Sequence, residues 1–142
     1  MATAKPRGRG EDLKQHISSE QLQELSPEQW VELKRWWKPQ QFDVFVFGNC
    51  GTSVVTAGVD MNGILWGTGG GFKLEDCLPL LSIGQCIELL NAKKKQNEHL
   101  EIHAPIGLIS LWIVWYANGE FPEKYENAEF IDALFEALKS VL

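Results

Sequence analysis

A serine, a glutamine three residues later and then an almost unbroken apolar run describe a helix that has to be buried. That arrangement lies at Ser82 and Gln85, inside Leu78-Pro79-Leu80-Leu81-Ser82-Ile83-Gly84-Gln85-Cys86-Ile87-Glu88-Leu89-Leu90. In such a capping box the serine hydroxyl and the glutamine amide each satisfy a free backbone N–H at the helix start. Ile83, Cys86, Ile87 and Leu90 recur at i, i+3, i+4 and i+7, one helical face. Leu89 widens that face and leaves little of the helix for solvent. The spacing predicts a central helix from Ile83 to about Lys94, with the rest of the chain packed round it.

Other helices follow from similar signals. Ser19 is placed to cap a short first turn carrying Leu22 and Leu25. Ser26-Pro27-Glu28-Gln29 opens the next helix, with serine as N-cap and proline at the first helical position. Trp30, Leu33 and Trp37 follow at i, i+3 and i+7, Lys34, Arg35 and Lys38 suit the negative end of the dipole, and Pro39 stops the helix. A closing helix over 127–142 has Asn127 as its expected cap and Ile131, Leu134, Phe135, Leu138 and Leu142 as one stripe.

Between these the period changes to two. Phe42, Val44 and Val46 alternate with Asp43, Phe45 and Phe47, so both faces of this strand are largely apolar and it is expected to be central. Val54 to Met61 reads as a second strand with Gly58 as a bulge, and Asn62-Gly63 as a type I′ turn into Ile64-Leu65-Trp66. Gly67-Thr68-Gly69-Gly70-Gly71 lacks a G-K-[ST] ending and stands far from the next helix start, so it reads as a connector and not a phosphate cradle. Leu100 and Ile102 alternate with Glu101 and His103, and Leu108 to Tyr116 reads as a well-covered strand. The expected class is α+β: a small, mostly antiparallel sheet of three to four strands packed with about three helices. Residues 1–17 are expected to be a flexible arm and residues 18–142 a single globular domain; 142 residues suit one such domain.

Three blocks resemble a known group of proteins. They are Leu25-Ser26-Pro27-Glu28-Gln29 through Trp36-Trp37-Lys38-Pro39-Gln40, then Leu78 to Gln85 with Ile87-Glu88, then Ile131-Asp132-Ala133-Leu134-Phe135-Glu136-Ala137-Leu138. These are similar to small uncharacterised, prophage-associated proteins of Gram-positive bacteria, with Phe135 where that group usually carries Trp. The resemblance implies a bacterial, phage-related origin and no established activity, cofactor or site residue.

Composition narrows the function. A net charge of −6 argues against broad phosphate contact, which needs clustered Lys and Arg. Cys50, Cys77 and Cys86 are an odd number without a C-x-x-C pair, as expected of reduced cytoplasmic thiols. Neither a secretory signal nor a run long enough to span a membrane is present in these residues. His99 and His103 have a zinc-compatible spacing on a helix, but they fall in a strand-like stretch, so no metal and no cofactor are expected.

Three functions stay open. The first is a small non-enzymatic, phage-associated protein that binds a protein partner or itself. Six Trp and seven Phe need cover, and Trp36 and Trp37 are the expected contacts, because Trp is enriched at interface hot spots. The alternative is a DNA-associated accessory protein. Pro6-Arg7-Gly8-Arg9 resembles the core of an AT-hook, which would lay Arg7 and Arg9 in an A·T-rich minor groove, although Gly10, Glu11 and Asp12 depart from the motif. The third is a cysteine-dependent hydrolase built on Cys50 in its glycine-flanked turn.

Overall fold

The computed structural model describes residues 14–48, 51–118 and 123–142. Helices α1 (Ser19–Gln23), α2 (Pro27–Trp36) and α3 (Ile83–Lys93) each start from a complete capping box. At α3 the Gln85 N–H donates to Ser82 Oγ at 3.2 Å and the Ser82 N–H donates to Gln85 Oε1 at 2.9 Å. The cap of α1 is Ser18, not Ser19, because only Ser18 stands three residues before Gln21 and can close the box. The last helix, α4 (Phe130–Val141), begins after Asn127, whose Oδ1 accepts the Glu129 N–H at 3.0 Å. The expected cap therefore turns the chain just ahead of the helix and does not sit on its end.

The glutamines of two boxes have a second task. Gln21 Nε2 donates to Asp132 Oδ1 at 2.8 Å, and Gln29 Nε2 donates to the Lys139 carbonyl at 2.9 Å. Each amide thus caps its own helix with its oxygen and ties it to α4 with its nitrogen. Below these ties lies an aliphatic core. Leu89 and Leu90 of α3, Ile131, Leu134, Phe135 and Leu138 of α4, and Leu33 of α2 are all buried in it.

Two antiparallel sheets complete the α+β fold. The strands are β1 (Val44–Phe47), β2 (Gly51–Val59), β3 (Ile64–Gly67), β4 (Gly70–Lys73), β5 (Cys77–Pro79), β6 (His99–His103), β7 (Trp112–Ala117) and β8 (Tyr125–Asn127). The first five form one sheet in the order β4-β3-β2-β1-β5, and the last three a second in the order β6-β7-β8. Among the described residues the expected three to four strands and about three helices become two sheets of five and three strands and four α-helices. The polar, three-residue β8 and the glycine-rich β4 gave no periodic signal.

β1 is an interior strand, with β2 and β5 on its two sides. Val44 and Val46 pack on the aliphatic core, whereas Phe45 and Phe47 face a second, aromatic cluster with Trp37, Val55, Leu65, Phe72 and Cys77. Two-faced apolarity in the sequence is therefore one strand serving two cores. Phe42 is not part of it: the residue is exposed, at φ +76°, where the chain bends so that Asp43 can accept the Trp37 indole.

The β2–β3 hairpin follows its sequence signals only in part. Gly58 does mark an irregularity, since the β2–β3 register shifts between Val55 and Gly58. The turn at Asn62-Gly63 is not type I′, which needs positive φ at both central residues; Gly63 has φ +77° and Asn62 does not. Asp60 decides this. Its Oδ1 accepts the N–H groups of Asn62 at 2.8 Å and Ile64 at 3.1 Å, and its Oδ2 accepts the Trp66 indole at 2.9 Å. The glycine run is not a connector but a hairpin, with Gly67 paired to Gly70. A Cβ at Gly67 would lie 2.6 Å from Ser53 Oγ and 3.0 Å from Phe45 Cζ, so the glycine lets the sheet close over its aromatic filling.

Residues 14–17, expected as part of the arm, are attached to the body. The Ile17 N–H donates to the Leu81 carbonyl at 2.9 Å, the Ile83 N–H donates to the Gln15 carbonyl at 3.2 Å, and Ile17 is buried. One buried isoleucine and two backbone bonds outweigh the polar composition that suggested an arm. No helix among the described residues is long and apolar enough to cross a membrane.

Candidate interaction surface

The two tryptophans expected at the surface are separated by the end of α2. Trp37 is the residue on which the helix closes, and it is only 6% exposed. Its indole N–H donates to Asp43 Oδ2 at 3.0 Å, and its ring stands 6.2 Å from that of Phe45. It is a core residue, and its interior position removes it from a contact surface. Trp36 is half-buried and packs against both the aliphatic and the aromatic cluster. Its place is the seam between the cores. Arg7, Arg9 and Cys50 lie outside the described residues.

Apolar side chains are instead exposed at the turn from β6 to β7. Ile106 and Ile109 exchange both backbone hydrogen bonds at 3.0 Å, which closes a two-residue loop. Gly107 takes φ +60° at the first loop position, where a side chain would be strained, and Leu108 takes the second. Ile106 is 74% exposed, Ile109 58%, and Leu108 fully exposed. No charged residue occurs between Ala104 and Tyr116. The strand predicted from Leu108 to Tyr116 therefore begins only at Trp112, and the residues before it form an uncovered apolar tip. Pro105 and Gly107 were the sequence signal for that turn; the apolar run round them hid it.

The inner face of this hairpin is apolar, and the outer face mixes His99, Glu101 and His103 of β6 with Ile113 and Trp115 of β7. Val114 is buried, Trp112 stacks on Phe130 with ring centroids 4.1 Å apart, and the Tyr116 hydroxyl donates to the Leu90 carbonyl at 2.5 Å. On the outer face His103 lies 3.6 Å from Glu101 and rests its ring 4.6 Å from that of Trp115, with Lys124 Nζ 4.7 Å from the same ring. His99 and His103 thus stand at opposite ends of β6, and no group of three or more His, Cys, Asp or Glu among the described residues could hold a metal.

Two clefts are large enough to admit a small ligand. The larger, of about 550 Å³, is lined by Lys34, Trp37, Ile64, Lys73, Glu75 and Cys77. Lys34 is already engaged with the Glu75 carbonyl, and burial, aided by Asp76, pushes the Cys77 thiol up to about 11. A thiol held so high stays protonated and is a poor nucleophile. The second, of about 390 Å³, is lined by Ser19, Trp30, Val46, Thr52 and Leu78, and no ionisable side chain among the described residues lines it. Cys86 lies in the aliphatic core, where burial pushes its thiol up to about 12. No protein-family model, curated protein or solved structure matches the chain.

Proposed function

We propose that this chain is a small, non-enzymatic, phage-associated interaction protein of the bacterial cytoplasm, which binds a protein partner or a second copy of itself. The observation that carries the reading is the apolar tip of the β6–β7 hairpin, where Ile106, Leu108 and Ile109 are exposed side by side in the chain. Single exposed apolar residues are ordinary on a protein surface, but a contiguous exposed group marks a contact site. We place the contact on this hairpin instead of at Trp37, whose ring is buried; Trp36 is half-buried between the two cores. Two buried, protonated thiols give no support to cysteine chemistry at Cys77 or Cys86.

The test is a photo-cross-linking amino acid placed at position 108 of the full chain in bacterial cells. A covalent protein adduct is expected from position 108 and not from position 31, where Val31 is exposed on α2. Equal yields from the two positions would sink the reading.

A further inference from the structure

The reading above leaves the partner open, and the edges of the two sheets narrow it. Four strands lie at sheet edges: β4, β5, β6 and β8. An edge strand offers unpaired N–H and C=O groups to any other strand, and proteins blunt such edges with short length, proline, glycine-bearing bulges or inward charge. β4 is four residues long with two glycines, β5 is three residues and ends on Pro79, and β8 is three residues. β6 has five residues, His99-Leu100-Glu101-Ile102-His103, with neither glycine nor proline. Its inward residues, Leu100 and Ile102, pack on the aliphatic core, and its charge points outward. β6 thus lacks the glycine, proline and inward charge that blunt the other edges, carries Glu101 as its one acidic residue, and no described strand pairs with its outer edge.

We infer that β6 pairs antiparallel with β6 of a second copy, about a two-fold axis at Ile102, joining the two three-stranded sheets into one of six strands. Hydrogen-bond complementarity, a Glu101 carboxylate that accepts and a His103 ring N–H that donates, favours a second copy as the occupant and sets the register. With Ile102 opposite its own copy, Glu101 faces the partner's His103 and His103 faces the partner's Glu101. Because a two-fold contact is self-complementary, one strand that carries both a carboxylate acceptor and an imidazole N–H donor supplies both pairs. An axis at Glu101 would set Glu101 against itself, and like charges directly opposite are destabilising. An axis at Leu100 would require residues 97 and 98 to extend, where Glu98 is instead folded back, its carboxylate accepting the Lys95 N–H at 2.7 Å. The Ile102 register uses only residues from Leu100 to Ala104. The inner row then brings Ile102 against its own copy and Leu100 against the partner's Ala104, so the apolar face is continuous across the joint.

The inference rests on the interaction reading and is separable from it. The experiment measures mass against concentration by sedimentation for the full chain and three variants: Glu101→Lys, His103→Glu and the double exchange. Both side chains are accessible, at 44% and 54% exposure, so the fold is expected to survive, and a thermal melt of each variant checks that. A concentration-dependent dimer is expected from the unaltered chain. His103→Glu sets carboxylate against carboxylate twice and is expected to weaken it roughly tenfold. Glu101→Lys sets ammonium against histidine and weakens it less, and the double exchange, which opposes Lys to Glu at both positions, restores it. A chain that is monomeric at every concentration overturns the pairing, and so does a dimer that ignores all three changes. In either case a cross-link from position 108 to a different protein would still uphold the broader reading.

Discussion

The two cores are built from different materials. The aliphatic core is made by helices: leucine and isoleucine from α2, α3 and α4 close on Val114 of β7. The aromatic core is made by one sheet and the end of α2. Phe47 and Phe72 stack with ring centroids 4.1 Å apart, and Phe72 meets Phe45 edge-on at 5.6 Å. Leucine and isoleucine side chains with one buried ring, Phe135, fill the first space, whereas rings make up most of the second. The difference teaches where tolerance lies. Aliphatic cores accept swaps of similar volume, but a ring leaves a hole that its neighbours cannot collapse into. Because β1 contributes alternate residues to both, and Trp36 touches both, the cores are expected to open together.

The hardest blow to that expectation is Phe45→Ala. Phe45 is fully buried at the centre of the aromatic cluster, and its loss should cost about 3–5 kcal/mol. Each core carries its own reporter: Cys77 lies in the aromatic one and Cys86 in the aliphatic one. With thiols raised to about 11 and 12, neither is expected to alkylate at pH 8 except through opening. In the variant both labelling rates should rise by the same factor, roughly a hundredfold or more. A rise at Cys77 alone would show that the aromatic core opens by itself.

Glycine substitutions sharpen the contrast at lower cost. Gly67→Ala forces a methyl against Ser53 Oγ, Phe45 Cζ and the Val54 carbonyl, all within 3.0 Å, and should destabilise by about 1–3 kcal/mol. Gly84 lies in the exposed first turn of α3, where a Cβ meets nothing closer than Ser82 Oγ at 3.9 Å. Gly84→Ala should therefore stabilise by about 0.5–1 kcal/mol. Opposite shifts of the melting temperature are expected, and shifts of one sign would mean that backbone freedom, not packing, sets both.

The same contrast explains what could be read in advance. α2 and α3 were legible because each is announced by a local signal, a serine with a glutamine three residues on, and continued by a 3.6-residue period. β1 was legible from its two apolar faces. The aromatic hairpins were not, because their geometry depends on groups distant from the turn residues. Asp60 captures the N–H groups that a type I′ turn would use otherwise, and Gly67 is required by Phe45, far away in the chain. The burial of Trp37 and the exposure of Leu108 escape the sequence for a related reason. Trp37 looks like a contact until Asp43 and Phe45 are seen to claim it, and Leu108 looks like a core residue until the turn at Gly107 is seen to expose it.

The smallest effect distinguishes the two regions by their electrostatics. Asp60 belongs to the aromatic sheet, and its carboxyl is held below its usual range by the Trp66 indole, then by the Ile64 and Asn62 amides. Glu32 belongs to the helical side, where Lys93 at 2.6 Å is the main cause of its lowered value and Arg35 adds to it. Both folded-state values are depressed, so both groups contribute stability above their ordinary range and lose it as pH falls through the depressed value. Their partners differ: Asp60 has neutral donors, whereas Glu32 has charged ones. At 1 M salt the Debye length falls to about 3 Å, which screens exposed ion pairs. The gap in melting temperature between the unaltered chain and Asp60→Asn should narrow as pH falls from 5 towards 2, at low and high salt alike. The gap for Glu32→Gln should narrow over the same range at low salt and be nearly absent in 1 M salt. If salt erased the Asp60 gap as well, the hairpin would be held by charge and not by the neutral donors of its own turn.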